Sequence, residues 1–238
     1  QVTALTSGTG VTFDKTAPNG YSVAFTTTPL INANKSAAAF QFASAEVGAT
    51  YNYSIDDTNG ATTAVTGSGT IATLTDTISG INLSSLDDGT LSVSVTLTDP
   101  TGNVGSGATN TVTKDATLPT ITTATMASNN TDTTKAKVGD TITITFTTSE
   151  IVALPTATIA GQAATVINTS GNNYTATYTL LSGDTTGSVA FTIDMTDSAG
   201  NSATQVTALT SGIAVVFDKT APTLSTLSPT DNATNIAV

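Results

Sequence analysis

The chain has 238 residues, a formal net charge of −11 and an apolar fraction of 38%. With 17 acidic and 6 basic side chains, it lacks the positive charge that nucleic acids and anionic membrane surfaces attract, so neither is an expected partner. Cysteine, histidine and tryptophan are absent, which excludes disulfides, thiolate metal sites and Ser-His or Cys-His catalytic pairs. No apolar run approaches the ~20 residues of a membrane helix.

The chain begins and nearly ends with the same segment. "QVTALTSGTGVTFDKTAP" at 1–18 returns as "QVTALTSGIAVVFDKTAP" at 205–222. The second copy follows a strand-rich stretch and is typical of its last strand, whereas the first copy alone is too short to bury a core. We therefore expect residues 1–17 to be the last strand of a preceding repeat plus a linker, and the chain to be an excerpt from a repeat array.

Three junctions of one form divide the chain. "FDKTAP" at 13–18, "TKDATLP" at 113–119 and "FDKTAP" at 217–222 each place an aspartate after a strand and a proline a few residues later. Successive junction prolines lie about 100 residues apart, which is the size of an immunoglobulin-like sandwich. The sequence therefore predicts an all-β fold of tandem immunoglobulin-like β-sandwiches joined by short linkers. The predicted limits are 18–115 and 116–221, followed at 222–238 by the first strand of a further repeat.

Predicted strands occupy matching positions in the two domains. Segments 37–46 and 90–99 in the first domain, and 141–150, 173–181 and 188–197 in the second, alternate apolar and polar residues as half-buried antiparallel strands do. Thr, Val and Ile suit this pleated surface, and Gly-, Asn- and Asp-rich turns separate the segments. No segment has helical periodicity.

Each domain also has a matching set of oxygen-bearing side chains. A set contains a linker aspartate, a glutamate at the end of the second strand, an aspartate in the loop before the last strand, and an asparagine four residues later. The sets are Asp14, Glu46, Asp99 and Asn103 in the first domain and Asp115, Glu150, Asp197 and Asn201 in the second. Because the linker and both loops meet at one pole of such a sandwich, we expect each set to converge. Asp218 would be half of a third set.

Three carboxylates in one small volume repel one another unless a cation lies among them. Oxygen ligands without histidine or cysteine favour Ca²⁺, so the sequence predicts Ca²⁺ at the domain junctions. The alternative is that these aspartates and asparagines only cap turns. A second pair of acidic loops, at 56–57 and 87–88, is expected at the opposite pole, where an additional role at the junction between the domains is the alternative to a turn.

The motifs "KVGDTITITFTTSE" (137–150), "TVINTSGNNYTATYTL" (165–180), "TDSAGNSA" (196–203) and "FDKTAP" carry a family resemblance. Through them, the second domain resembles the immunoglobulin-like repeats of very large secreted bacterial adhesins, including biofilm-associated and type-I-secreted surface proteins. The first domain agrees mainly in "SAE" and "TDPTGN". The resemblance implies stalk domains exposed outside the cell and, in several relatives, Ca²⁺ at domain junctions.

Together these observations predict a non-catalytic extracellular stalk or spacer of a bacterial surface adhesin. Its expected partners are the neighbouring repeats of the same chain, and Ca²⁺ would set its stiffness. One alternative is a subunit of a self-assembling filament, sheath or surface layer, in which the terminal strands exchange between molecules. Another is a carbohydrate-binding module, which is disfavoured because the chain has no tryptophan for a sugar platform.

Overall fold

The described part of the chain, residues 13–224 of a computed structural model, consists of strands and turns. No helix in this part is long and apolar enough to cross a membrane. The terminal strands expected within 1–17 and 222–238 lie outside the described residues, except for 13–17 and 222–224, which form no strand. The all-β prediction is confirmed.

Two compact units make up the described residues. The first comprises 13–119 together with 196–203, and the second comprises 120–195 together with 204–224. The division at 119/120 lies four residues after the predicted boundary at 115/116. The loop 196–203 belongs to the first unit. The domain limits derived from the sequence stay a prediction.

The first unit contains two sheets. Its strands are β1 (Ser22–Phe25), β2 (Leu30–Ile31), β3 (Ala38–Ala43), β4 (Thr50–Asp56), β5 (Val65–Thr70), β6 (Thr77–Ile81), β7 (Gly89–Thr98) and β8 (Ala108–Asp115). One sheet has the order β1-β3-β6 and the other the order β2-β8-β7-β4-β5. Every pairing is antiparallel except that of the short β2 with the closing strand β8.

Period-2 alternation builds the core of the first unit. Strand β3 buries Phe40 and Phe42, and β7 buries Leu91, Val93, Val95 and Leu97, while the alternate residues between them face outward or are partly exposed. Burying each such side chain contributes about 1.5–3 kcal/mol, so these inward stripes fix the register of both sheets. The predicted strands at 37–46 and 90–99 are confirmed.

The second unit contains three sheets, where the first contains two. Its strands are β9 (Ile121–Ser128), β10 (Lys135–Ala136), β11 (Thr141–Thr148), β12 (Thr156–Ile159), β13 (Gln162–Ala163), β14 (Thr165–Ser170), β15 (Asn173–Thr179), β16 (Gly187–Ser188), β17 (Phe191–Asp194) and β18 (Val216–Phe217). They form sheets of order β14-β15-β11-β9, β13-β12-β17 and β10-β18-β16. As in the first unit, the closing strand β18 has a short parallel neighbour, β10.

The closing segments of the two units differ in regularity. In the first unit, β8 pairs with β7 continuously from Ala108 to Lys114. In the second, the predicted strand at 188–197 is interrupted between β16 and β17, and the closing segment 205–217 contributes only β18 and one isolated bridge to the sheets. The predicted strands at 141–150 and 173–181 are confirmed as β11 and β15.

Candidate metal centre

The loop from Asp197 to Asn201 is a tight turn organised by its own aspartate. Asp197 Oδ1 accepts hydrogen bonds from the backbone N–H groups of Gly200 (2.7 Å) and Asn201 (2.8 Å), and Oδ2 accepts one from Asn201 Nδ2 (2.8 Å). Gly200 has a φ of 106°, a backbone conformation that glycine adopts most readily. A bridge between Thr196 and Ser202 closes the base of the loop.

Asn201 fixes this loop to its surroundings. Its side chain is only 2% exposed, and Nδ2 donates a second hydrogen bond to the backbone oxygen of Asp115 (2.8 Å). Its Oδ1 accepts the N–H of Asn32 (2.7 Å), and its backbone oxygen accepts the N–H of Asp197 (3.0 Å). These bonds give Asn201 a role in positioning the loop, and the oxygen-ligand role expected from the sequence stays a prediction.

Three of the predicted ligand side chains come together. Carboxylate oxygens of Asp115, Glu150 and Asp197 lie within 4.8 Å of one another. Two oxygens that each lie about 2.4 Å from one Ca²⁺ ion are at most about 4.8 Å apart, so this spacing accommodates a calcium ion. Asp115 and Glu150 are half-buried, which leaves room for water to complete the coordination shell.

Glu150 is held by the end of β11. The Ser149 N–H donates to the backbone oxygen of Thr120 (2.8 Å), and Ser149 Oγ accepts the N–H of Thr120 (3.0 Å). The hydroxyl of Thr148 donates to the backbone oxygen of Glu150 (2.5 Å). These bonds attach the end of β11 to the start of β9 and so limit the positions that the Glu150 side chain can reach.

The local environment keeps Asp197 negatively charged. Burial alone would raise its pKa, but the Asn201 side chain and the backbone N–H groups of Asn201 and Gly200 stabilise the carboxylate, and the net effect lowers the pKa. The hydrogen bonds to Asp197 come from its own loop, so they form with or without a cation. Turn capping and cation binding are therefore compatible roles for this side chain.

The first set reproduces the loop but not the cluster. Asp99 accepts hydrogen bonds from the N–H groups of Thr101 and Asn103, and Asn103 Nδ2 donates to Asp99 Oδ2 (2.7 Å) and to the backbone oxygen of Asp14 (3.1 Å). Within 13–224, however, the group of Asp115 is the only one in which three acidic ligand atoms approach within 4.8 Å. The expected convergence of Asp14, Glu46 and Asp99 is therefore not observed, and Glu46 is exposed.

Chain spacing explains the difference. In the second set, Asp115 lies six residues before Ile121, whose partner on β11 is Thr148, and Glu150 lies two residues after Thr148. In the first set, Asp14 lies eight residues before Ser22, whose partner on β3 is Ala43, and Glu46 lies three residues after Ala43. The longer connection contains Asn19 and Gly20, and in this unit the linker aspartate and the glutamate do not form a cluster with Asp99.

Asp218, the predicted half-site, is exposed. Its Oδ1 accepts the N–H of Thr220 (2.8 Å), and its own N–H donates to the backbone oxygen of Ala136 (2.9 Å). In the described part of the chain it belongs to no cluster of three acids.

An ion pair beside Asp115, made by a buried lysine, was not predicted. Lys114 Nζ lies 2.6 Å from Asp88 Oδ1 and donates to the backbone oxygen of Leu86 (2.8 Å). Asp88 Oδ2 accepts the N–H of Ala116 (3.0 Å) and the hydroxyl of Thr117 (2.8 Å), so Asp88 fixes the residues that follow Asp115. Burial raises the pKa of Asp88, but the Lys114, Thr117 and Ala116 hydrogen bonds outweigh it and the pKa is lowered.

The sequence did contain a signal for this ion pair. Lys114 occupies the position before the linker aspartate, where both other junctions have phenylalanine, and the equivalent Phe217 is fully buried. A lysine at a buried position requires a charged or hydrogen-bonding partner. The loop at 87–88 provides that partner through Asp88.

No protein-family model and no curated protein matches the chain. Among solved structures, it is similar to a tetra-tandem repeat in the extending region of a large adhesion protein (19% identity, TM-score 0.35), with 87% of this chain and 51% of that chain covered. The chain thus spans about half the length of that structure.

Two other solved structures are similar to the chain. One is from a 1.5-MDa bacterial ice-binding adhesin (18% identity, TM-score 0.46), with 87% of this chain and 67% of that chain covered. The other contains fibronectin(III)-like modules of Clostridium thermocellum CbhA (13% identity, TM-score 0.34), with 78% and 90% covered. At these identities and TM-scores the likenesses do not assign a function, so the function proposed below rests on the residues of the chain itself.

Proposed function

We propose that this chain is a non-catalytic stalk segment of an extracellular bacterial surface adhesin, and that Ca²⁺ bound by Asp115, Glu150 and Asp197 stiffens it. The observation that carries the proposal is the approach of these three carboxylates to within 4.8 Å. The glutamate is the informative member, because a turn at 197–201 can form without a carboxylate from another strand.

The composition and organisation of the chain support a spacer role. Two β units follow each other through a connection of a few residues around Pro119, and proline restricts the backbone of such a connection. The chain has neither histidine nor cysteine and only six basic residues, which leaves few groups for catalysis. A chain of this composition, without disulfides, suits a secreted surface protein whose stability comes from packing and bound metal.

In the proposed mechanism, Ca²⁺ neutralises three charges that otherwise repel one another. Asp115 lies at the end of β8, Glu150 after β11, and Asp197 in the loop fixed by Asn201. A common ion would hold these three chain segments together and restrict the connection after residue 115. Mg²⁺ demands near-ideal octahedral geometry at about 2.1 Å and gives up its water reluctantly, whereas Ca²⁺ accepts flexible coordination by oxygens. The centre is therefore expected to prefer Ca²⁺.

Thermal unfolding in EDTA, in Ca²⁺ and in Mg²⁺ tests this proposal. At ten times its Kd, one Ca²⁺ ion adds about 1.4 kcal/mol to the free energy of unfolding, which raises Tm by several degrees. Extracellular calcium modules have Kd values of about 10⁻⁴–10⁻³ M, so millimolar Ca²⁺ is the appropriate range.

Two matched variants localise the effect. Glu150→Gln removes one proposed ligand and should abolish the Ca²⁺-dependent rise in Tm. Glu46→Gln makes the same change at the equivalent position of the first set and should leave the rise intact. An equal rise in Ca²⁺ and Mg²⁺, or a rise that persists in Glu150→Gln, would contradict the proposed centre.

A further inference from the structure

A series of polar contacts connects a buried lysine to one of the proposed calcium ligands. Lys114 is only 4% exposed, and its Nζ lies 2.6 Å from Asp88 Oδ1. The other oxygen of Asp88, Oδ2, accepts the hydroxyl of Thr117 (2.8 Å), and the N–H of Thr117 donates to Asp115 Oδ1 (3.3 Å). All four residues belong to the first unit. The Asp115 carboxylate is therefore connected through two residues to a side chain buried in that unit.

The lysine holds the Asp88 carboxylate firmly. Lys114 Nζ also donates to the backbone oxygen of Leu86 (2.8 Å), so the ammonium has two partners in a buried place, where an unpaired charge would be costly. Hydrogen bonds to an ionised group are roughly twice as strong as those between neutral groups. Asp88 Oδ2 accepts a further one from the N–H of Ala116 (3.0 Å). The two residues that follow the linker aspartate are thus both bonded to Asp88.

The linker after the second unit has the same local turn without this anchor. The N–H of Thr220 donates to Asp218 Oδ1 (2.8 Å), as the N–H of Thr117 does to Asp115. Within residues 13–224, the hydroxyl of Thr220 makes no hydrogen bond to a carboxylate. The turn between aspartate and threonine therefore forms by itself, and the contact with Asp88 is an addition that attaches the turn to the rest of the unit.

We propose that Asp88 is a positioning residue of the calcium centre, which orients the Asp115 carboxylate through Thr117 and the N–H of Ala116. This inference rests on the proposed function, since it requires Ca²⁺ to bind at Asp115. Residues that hold metal ligands in place are important for affinity, and their substitution typically weakens metal binding by about 10–100-fold. A carboxylate that is already oriented loses less conformational freedom when the ion binds, which is the physical reason for the effect.

Calcium titration calorimetry of two aspartate variants tests the inference. Asp88→Asn removes the charge that holds residues 116 and 117, and it should raise the Kd for Ca²⁺ by about tenfold. Asp87→Asn is the matched control. It removes the same charge from the neighbouring residue, whose carboxylate accepts the side chain of Asn59 and makes no hydrogen bond to residues 114–117, so its Kd should equal that of the unmodified chain.

Variants of Thr117 separate positioning from stability. Asp88→Asn also leaves Lys114 without its ion pair and should lower the stability of the fold. Thr117 is exposed, and Thr117→Val removes only the hydroxyl that contacts Asp88. It should raise the Kd for Ca²⁺ severalfold while the Tm in EDTA changes little. Thr117→Ser keeps the hydroxyl and should restore the Kd of the unmodified chain, which a purely structural role of Asp88 would not produce.

Amide hydrogen exchange in EDTA provides a measurement without metal. The N–H of Ala116 is bonded to Asp88, so its exchange reports directly whether Asp88 holds the linker. Exchange at Ala116 should be faster in Asp88→Asn than in the unmodified chain, and it should be unaffected in Asp87→Asn. Equal exchange rates at Ala116 in the three chains would contradict the positioning role.

The outcomes distinguish this inference from the proposed function. If the unmodified chain binds Ca²⁺ and both Asp88→Asn and Thr117→Val bind it with the same Kd, the positioning role is overturned and the calcium centre stands. Equal Kd values for Thr117→Val and Thr117→Ser would overturn it in the same way. If the unmodified chain binds no Ca²⁺, the calcium centre and the positioning role are both wrong.

Discussion

The two Asp–Asn loops of this chain are alike, yet only one of them lies beside a cluster of carboxylates. In both, the aspartate accepts the N–H of the asparagine four residues later, and the asparagine side chain binds the backbone oxygen of the linker aspartate. Only in the second does a glutamate approach, at Glu150. The comparison shows that five residues suffice to form the loop. The cluster depends in addition on the length of the connection that brings the strand end carrying the glutamate close to the loop.

The two asparagines also differ in how completely they are enclosed. Asn103 is half-buried, whereas Asn201 is 2% exposed and has the N–H of Asn32 as an additional partner. Asn201 therefore contributes more to the stability of its loop than Asn103 does. This difference gives the largest expected effect.

Asn201→Ala should lower the free energy of unfolding by about 3 kcal/mol, because it removes three hydrogen bonds of a buried residue, those with Asp197 Oδ2, the backbone oxygen of Asp115 and the N–H of Asn32. Asn103→Ala should cost about 1 kcal/mol, since water can replace its bonds. Urea unfolding of both variants in EDTA measures the two values. Equal losses would mean that the additional bond to Asn32 contributes nothing.

Gly105→Ala should destabilise the first unit by about 2 kcal/mol. A Cβ at Gly105 would lie 2.3 Å from the backbone oxygen of Pro18, so the chain before β1 would have to move. The equivalent position in the second loop is Ala203, so this close approach of the linker is specific to the first loop.

Gly107→Ala is the matched control for Gly105→Ala. A Cβ at Gly107 would meet its nearest neighbour, the backbone oxygen of Val95, at 3.7 Å, an ordinary contact. Thermal unfolding should show a lower Tm for Gly105→Ala than for Gly107→Ala. Similar Tm values would show that Pro18 can move away from the loop without loss.

Acid should destabilise the first loop in a defined pH range. Burial raises the pKa of Asp99, but hydrogen bonds from Asn103 and Thr101 outweigh it and lower the pKa from 3.8 to about 2. Because the pKa is lower in the folded state, the stabilisation is present above pH 3.8 and is lost as the pH falls towards 2.

The variant Asp99→Asn checks this pH dependence. Its Tm should be lower at neutral pH and should fall less steeply than that of the unmodified chain between pH 4 and pH 2, the range set by the two pKa values. Parallel Tm profiles for the two chains would show that the Asp99 carboxylate contributes nothing to acid unfolding.

The smallest expected effect concerns repulsion among the carboxylates of Asp115, Glu150 and Asp197. Without a cation, Glu150→Gln removes one of three neighbouring negative charges and should raise the free energy of unfolding in EDTA by about 0.5–1 kcal/mol. Glu46→Gln, in the set that does not converge, should change it by less than the error of the measurement. Urea unfolding in EDTA measures the free energy of unfolding of both variants. A loss of stability in Glu150→Gln would indicate that repulsion does not govern this cluster without metal.

Local sequence predicted most of the fold and part of the centre. Alternation identified β3, β7, β11 and β15, and the Asp–Gly–Asn pattern identified both loops, because these features depend on neighbours in the chain. Glu150 was found by comparing the two domains. Glu46 was expected to behave in the same way, but the longer connection through Asn19 and Gly20 separates it from the linker.

Features that depend on distant partners were not predictable in the same way. The contact between Asn201 and Asn32 joins residues 169 positions apart, and no local pattern marks Asn32 as its partner. The interruption between β16 and β17 likewise has no signal in the alternation of 188–197, whose inward residues Val189 and Phe191 are buried as a continuous strand would require. The neighbouring closing segment, 205–217, is irregular, and this accounts for the interruption between β16 and β17.

Calcium titration by isothermal calorimetry tests the central claim most directly. The account predicts one Ca²⁺ ion per chain with a Kd of about 10⁻⁴–10⁻³ M, from the second set alone. Binding should be lost in Glu150→Gln and unchanged in Glu46→Gln. No heat of binding in the unmodified chain, or one that survives Glu150→Gln, would contradict the account and leave the acidic residues as turn-forming groups.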